Sequence, residues 1–223
     1  MMKKKNPLRT YTHLVDFLDE EIVWRKKELA DLRAVIRRRE FSGTRQMALI
    51  RSGVTMLYAH WEGFIKAAAS AYLKFVYNQR LAYNQVTTNF IALGMRGQLQ
   101  SASHTIKASV LNPIAEFFVS GLSSRCDFPH EDAIKTFSNL SSTVFKEIVH
   151  TLNFDYSLYA TKEKLIDEKL LKLRNDIAHG EELVIDLEEY MNLHDNVLEL
   201  IETFRNEVDN AASTRHYLRR QTP

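Results

Sequence analysis

Apolar residues recur at steps of three, four and seven over most of the chain, the spacing that collects them on one face of an α-helix. Leu14, Leu18, Ile22, Leu29, Leu32 and Ile36 trace one such stripe, broken at Arg25, and predict a long amphipathic helix from residue 11 to about residue 40. Its outer face is read as basic, carrying Arg25, Lys26, Lys27, Arg33, Arg37, Arg38 and Arg39. Phe41-Ser42-Gly43-Thr44 then supplies a turn, with Thr44 as N-cap. A second stripe, Ile50, Val54, Leu57, Trp61, Phe64, Ala68, Tyr72 and Phe75, predicts a helix over residues 45–78. At 1.5 Å per residue that helix is about 50 Å long, and the short turn makes the pair an antiparallel hairpin. Gly53 and Gly63 each cost it about 1 kcal/mol relative to Ala, so a neighbour approaching closely is the expected reason for both.

Residues 84–151 hold shorter apolar segments (86–99, 114–119 and 133–152) between Ser/Asn-rich and Gly/Pro-containing breaks, which predict short helices and loops. Periodicity returns with Ile166, Leu170, Leu173 and Ile177, on a helix capped by Thr161 and ended by Gly180. Asp186 with Glu189 makes a capping-box-like start for a last helix, whose stripe is Leu187, Tyr190, Met191, Val197, Leu198, Ile201, Phe204 and Val208. The organisation expected is a basic tail over 1–10, one all-α domain over 11–210 and a frayed tail over 211–223.

Composition sharpens this picture. Glycine and proline number 7 and 4, about 5% of the chain where average usage gives about 12%, as long helices require. No glycine-rich phosphate loop, alternating strand pattern or fixed-period repeat occurs, which argues against a nucleotide-binding α/β fold. The single Cys126 cannot form an internal disulfide and no Cys/His cluster has zinc-finger spacing, so a reducing compartment, the cytoplasm, is expected. No apolar run approaches the roughly 18 residues of a membrane span, and no membrane association is expected. The net charge of +2 hides a polarity: residues 1–51 carry 13 Lys/Arg and 7 Asp/Glu, residues 161–210 carry 6 and 14. Either the front binds nucleic acid or the two ends lie against each other, the second being slightly favoured.

Candidate chemistry concentrates in Leu173-Arg174-Asn175-Asp176-Ile177-Ala178-His179-Gly180, where a permanent cation and an imidazole lie five residues apart at a helix end. The same spacing from Arg125 to His130 falls in a Pro-containing loop and is discarded as a site. At about 100° per residue, Arg174 sits about 70° from the centre of the apolar stripe and His179 about 150° away. His179 thus faces away from its own core, with Asn175 and Asp176 near it on the polar face.

These residues resemble the HEPN-domain ribonucleases, whose hallmark is Arg, a polar residue and, after four to six intervening residues, His. Ile177-Ala178-His179-Gly180-Glu181 resembles a branch associated with prokaryotic toxin–antitoxin and restriction systems, and so does Leu57-Tyr58-Ala59-His60-Trp61-Glu62-Gly63-Phe64. The resemblance spans most of residues 45–208 and implies an all-α, HEPN-like helical bundle with a long N-terminal hairpin and additional short helices. It implies an endoribonuclease needing no cofactor or metal, with Arg174 and His179 catalytic and Asn175, Asp176 and Glu62 supporting. RNA carries its own nucleophile, so cleavage to a 2′,3′-cyclic phosphate and a 5′-OH needs proton transfers suited to His179 and a cation on the phosphate, suited to Arg174. The two groups diverge by about 140° on one helix, so a homodimer bringing two motifs to one cleft is expected. An antitoxin or a neighbouring-gene product is the further partner implied.

The remaining polar residues divide. Glu62, four residues from Tyr58 and from Lys66, is either part of a surface salt bridge or on the rim of the site. Trp61 and His194 lie on apolar stripes; Trp61 is read as core, and His194 as packed or interfacial and not catalytic. Arg37, Arg38 and Arg39, with Lys3, Lys4 and Lys5, are candidates for tracking RNA phosphates or are simply a solvated face. The alternative to the enzyme is a non-catalytic helical module binding RNA or a protein.

Overall fold

The computed structural model describes residues 7–38, 43–182 and 184–220. Arg39 and the Lys3–Lys5 cluster fall outside those residues. Thr10 opens the first helix, its hydroxyl accepting the His13 N–H at 3.2 Å, and α1 (Tyr11–Ile36) follows. α2 (Gly43–Asn78) begins at Gly43, so Thr44 lies within its first turn and is not the cap. The two helices run antiparallel: Ile36 meets Gly53, Glu28 meets His60, Arg25 meets Gly63, and the Leu8 carbonyl accepts from Asn78. α3 (Thr88–Ala102), α4 (Ala108–Ser120) and α5 (Ser142–Thr151) make up the middle, α6 (Lys172–Ala178) carries the Arg–His motif, and α7 (Leu187–Ser213) returns along α1 and α2. Among the described residues the only β pairing is two isolated bridges, Ala82 with Arg125 and Val86 with Leu218. None of the described helices is long and apolar enough to cross a membrane.

Burial of the predicted stripes holds the bundle together. Leu14, Leu18, Leu29 and Ile36 of α1 meet Val54, Leu57, Trp61 and Phe64 of α2 and Tyr190, Val197, Ile201 and Phe204 of α7 in one core, all fully buried. Trp61 is part of that core, its ring 4.9 Å from Phe145 edge-on. His194 is packed as expected, 1% exposed, with Nδ1 3.1 Å from Asp195 Oδ1. The charge polarity is met in part within the molecule: Arg33 grips both oxygens of Asp195 at 2.8 and 3.2 Å and Lys26 pairs with Glu202, while Arg205 of α7 reaches Asp19 of α1 in the opposite sense at 2.8 Å. Such partly exposed pairs contribute about 0–1 kcal/mol each. Together they tie α1 to α7 along their outer edges.

Four further expectations need correction. Arg25 is not on the outer face: it is 6% exposed and fills the stripe position where the apolar periodicity breaks. Its Nη1 donates to the Glu21 carbonyl and carboxylate at 2.6 Å each, and its guanidinium lies over the rings of Trp24 and Phe64. The close approach expected at Gly63 is not found, since a Cβ there would lie 3.4 Å from Arg25 Nη2, an ordinary contact with the end of a side chain. Thr161 does not cap the motif helix but lies inside a short 3-10 turn, Ala160–Lys162. Nor is the chain frayed over residues 211–220: α7 continues to Ser213, Tyr217 is buried, its carbonyl accepts the Thr87 N–H at 3.0 Å, and the Arg219 N–H reaches the Gln85 carbonyl at 2.9 Å, while residues 221–223 lie outside the described residues.

Gly53 carries the close approach foreseen for it. A Cβ there would lie 2.6 Å from Tyr190 Cε2 and 2.8 Å from Ile36 Cδ1, whereas one at Gly97 of α3 meets nothing within 4 Å. Overpacking of this kind costs about 1–3 kcal/mol, against a gain of up to about 1 kcal/mol in helix propensity. Urea unfolding is therefore expected to show Gly53→Ala less stable than wild type and Gly97→Ala slightly more stable. His60 gives a second prediction. It is buried, its Nε2 2.8 Å from Glu28 Oε2, and burial pulls its pKa below the ordinary value; Glu28 opposes that shift and Arg25 reinforces it. The unfolded chain therefore takes up the proton first, so the stability that neutral His60 supports is present above its unfolded pKa and lost as pH falls toward the folded value. Between pH 7 and pH 5, wild type should lose more unfolding free energy than His60→Gln; equal losses would contradict this.

Candidate functional site

The motif helix is reached through an irregular approach. Leu165–Leu171 is π-helical, and its wider turn closes with the Lys172 N–H on the Asp167 carbonyl. Ile166 and Leu170 remain fully buried, but Leu173 and Ile177 of α6 emerge only half-buried, and α6 has no buried residue. Asp167 ties this segment to α5 by accepting the Ser142 N–H at 2.7 Å and the Ser142 hydroxyl at 2.5 Å.

Arg174 is half-buried where α6 meets α2. Its guanidinium carbon lies 4.0 Å from the centroid of the Tyr58 ring, and Nη2 donates to the Ser138 carbonyl at 2.6 Å and to Asn139 Oδ1 at 3.3 Å. Its Nε is buried with no partner among the described residues. Tyr58, 3% exposed, accepts the Leu140 N–H on its hydroxyl at 2.6 Å. Burial raises the Tyr58 pKa; the hydrogen bond from Leu140 and the Arg174 guanidinium act against that, while the Glu62 charge adds to it. Residues 138–140 are thus tied to α6 through Arg174 and to α2 through Tyr58.

At the other end of α6 the helix stops in a Schellman arrangement. The Glu181 N–H reaches the Asp176 carbonyl at 3.0 Å and the Gly180 N–H reaches the Ile177 carbonyl at 3.1 Å, with Gly180 at φ +79. Such a φ suits glycine and few other residues. His179 is left as the C-cap, its side chain exposed and its imidazole without a hydrogen-bond partner among the described residues. Asp176 accepts from Lys172 Nζ at 2.6 Å, one turn back on the same helix, and Asn175 is half-buried.

The structure therefore brings Arg174 to the turn of α2 that carries Tyr58 and Glu62, and leaves His179 open at the helix end. Beside Ile177 a groove of about 870 Å³ runs between the start of α2 and the segment after α6, lined by Met47, Arg51, Thr55, Met56, Ile177 and Glu182. Arg51 closes one side with a 2.7 Å bond to the Glu181 carbonyl. Arg37 and Arg38 are exposed at the end of α1. The discarded copy is accounted for by packing, with Arg125 over the Tyr77 ring and His130 stacked 4.0 Å from it. Among the described residues no group of three His, Cys, Asp or Glu side chains could hold a metal ion. The sequence reading missed Tyr58, Ser138, Asn139 and Leu140. Tyr58 was within reach, since it stands one helical turn before Glu62.

Comparison with known proteins bears on this arrangement. No curated protein and no solved structure matches the chain. A family model does, that of the HEPN_MAE_28990-like HEPN family, over residues 14–217. That span takes in α2, the tethered 138–140 segment and the whole of α6 and α7, so the chain belongs to the HEPN_MAE_28990-like HEPN family.

Proposed function

We propose that this HEPN chain is a metal-independent endoribonuclease acting as a homodimer, in which Arg174 and His179 of two protomers serve one cleft. The observation that carries the reading is the contrast within α6: Arg174 is fixed by Tyr58, Ser138 and Asn139, while His179, five residues on, presents an unpartnered imidazole at the surface. A fixed guanidinium suits a phosphate with developing charge, and an open imidazole suits proton transfer near neutral pH.

The reaction follows from these groups. One imidazole takes the 2′-OH proton as that oxygen attacks the adjacent phosphorus, and the imidazolium of the second protomer protonates the departing 5′-oxygen. The guanidiniums face the phosphorane, leaving a 2′,3′-cyclic phosphate and a 5′-OH. Asn175, Asp176 and Glu62 supply the polar surround. A second copy is needed because Arg174 and His179 leave one helix in directions about 140° apart. Exposed Ala178, next to His179 in the chain, and exposed Val184 beside the groove leave apolar surface that a second copy can cover. The branch that the motif resembles supports a finer reading, a cytoplasmic toxin or defence effector restrained by an antitoxin. Arg37, Arg38 and Arg39 remain candidates for RNA phosphates.

One observation favours a second reading, a non-catalytic module binding RNA or a protein. Arg174 already donates to Ser138 and Asn139. A guanidinium used as an internal tie explains its position without chemistry.

Two measurements separate these readings. Purified protein in EDTA is expected to cleave single-stranded RNA, and His179→Ala to slow this by about 10²–10⁴-fold, the range of a lost general acid or base, with the dimer intact by light scattering. RNA bound but never cut would leave the module. An otherwise identical RNA carrying one 2′-deoxy nucleotide at the cleaved linkage is expected to survive at that position. Cleavage there would rule out attack by the 2′-OH.

A further inference from the structure

A second cavity, of about 560 Å³, opens between α3, the segment before α5, and α5 itself. Its volume lies within the range of small-ligand sites, roughly 300–1,000 Å³. Ala92, Leu93, Ile134, Val144 and Ile148 make an apolar floor. Around it stand Arg96, Lys135, His150, Phe137 and a single carboxylate, Glu147. Arg96 and Lys135 are exposed, and neither makes an ion pair or hydrogen bond among the described residues.

Phe137 is the unusual member. It is 75% exposed, and both it and Ser138 have left-handed backbones, φ +54 and +56. For a bulky residue that conformation is an outlier, and it persists only where neighbours over-determine it. Here the neighbours are identifiable. The Asn139 N–H closes a turn on the Thr136 carbonyl at 2.9 Å, the Leu140 N–H is held by Tyr58, and the Ser138 carbonyl is held by Arg174. The residue that fixes this turn is thus the Arg of the motif, and the turn displays an aromatic ring at the cavity.

We infer that this cavity is a nucleotide subsite for single-stranded RNA flanking the linkage to be cut, with a base stacked on Phe137 over the apolar floor and the adjoining phosphates met by Arg96 and Lys135. The inference rests on the ribonuclease reading and extends it to substrate placement. An aromatic face with unpaired cations beside it is what single strands recognise, because every base has a π-face and every linkage a charge. Through Ser138 the subsite and Arg174 share one turn, so a strand held in the first is indexed to the second.

Binding can be read without cleavage, in the full chain carrying His179→Ala, by fluorescence anisotropy with a labelled 12-nucleotide RNA. Adding Phe137→Ala is expected to weaken binding about tenfold, the loss of one stacked base, and Phe137→Trp to restore it. Arg96→Gln and Lys135→Gln are each expected to lower the slope of log affinity against log salt by about 0.7. A 5-iodouracil RNA should photocross-link to Phe137. Unchanged affinity and salt slope in all three variants, a parent that binds no RNA, or a cavity that takes a peptide while RNA binds elsewhere would overturn the subsite. The ribonuclease reading fails separately: RNA bound through Phe137 but never cut by the wild-type chain ends that reading and leaves the subsite standing, whereas cutting by the wild-type chain that depends on His179 but not on Phe137 does the reverse.

Discussion

The stacking of Arg174 on Tyr58 is the contact on which the candidate site depends. A guanidinium is planar, always charged and weakly hydrated, so it can lie on an aromatic face and still donate in its own plane. Arg174 does both: the Tyr58 ring lies beneath it, and Ser138 and Asn139 accept at its edge. One side chain therefore joins α6, α2 and the 137–140 turn. Lysine could not reproduce this, having a point charge and no plane. Because Tyr58 in turn holds the Leu140 N–H, moving α6 relative to α2 would also move the turn.

The rest of the fold supplies a rigid seat for that contact. α1, α2 and α7 bury their stripes against one another, and ion pairs along their outer edges tie α1 to α7. After the π-helical segment, α6 packs on the core only through half-buried residues such as Leu173 and Ile177, and its last turn reaches the surface. Gly180 ends it abruptly with a left-handed residue, leaving His179 as the last side chain of the helix. Fixed cation and open imidazole thus sit between two local features, a wide turn before α6 and a glycine after it.

Much of this was legible in the sequence where the signal was local and periodic. The long helices, the Gly180 stop, the Asp186 cap, the close approach at Gly53 and the pairing of a basic front with an acidic back all follow from spacing and side-chain type. The Asp186 cap shows the boundary of such reading. Its carboxylate does accept the Glu189 N–H at 2.7 Å, but the Glu189 side chain, expected to complete the box, binds Lys169 instead. Arg25 was legible as an interruption but not as a buried residue, because its burial depends on Glu21, Trp24 and Phe64 all meeting there. The π segment left no mark, since its stripe reads equally well at α-helical spacing. The 137–140 turn was invisible because its shape is imposed by Tyr58 and Arg174, which lie far away in sequence.

The account stands or falls on whether two protomers serve one cleft. Heterodimers with His179→Ala in one protomer only, isolated through two different affinity tags, test this directly. If one imidazole must take a proton while the other gives one, a dimer with a single His179 should keep less than about a tenth of wild-type cleavage, since either role is worth at least 10²-fold. Retention of half the wild-type rate would mean that each protomer works alone, and would contradict the shared site.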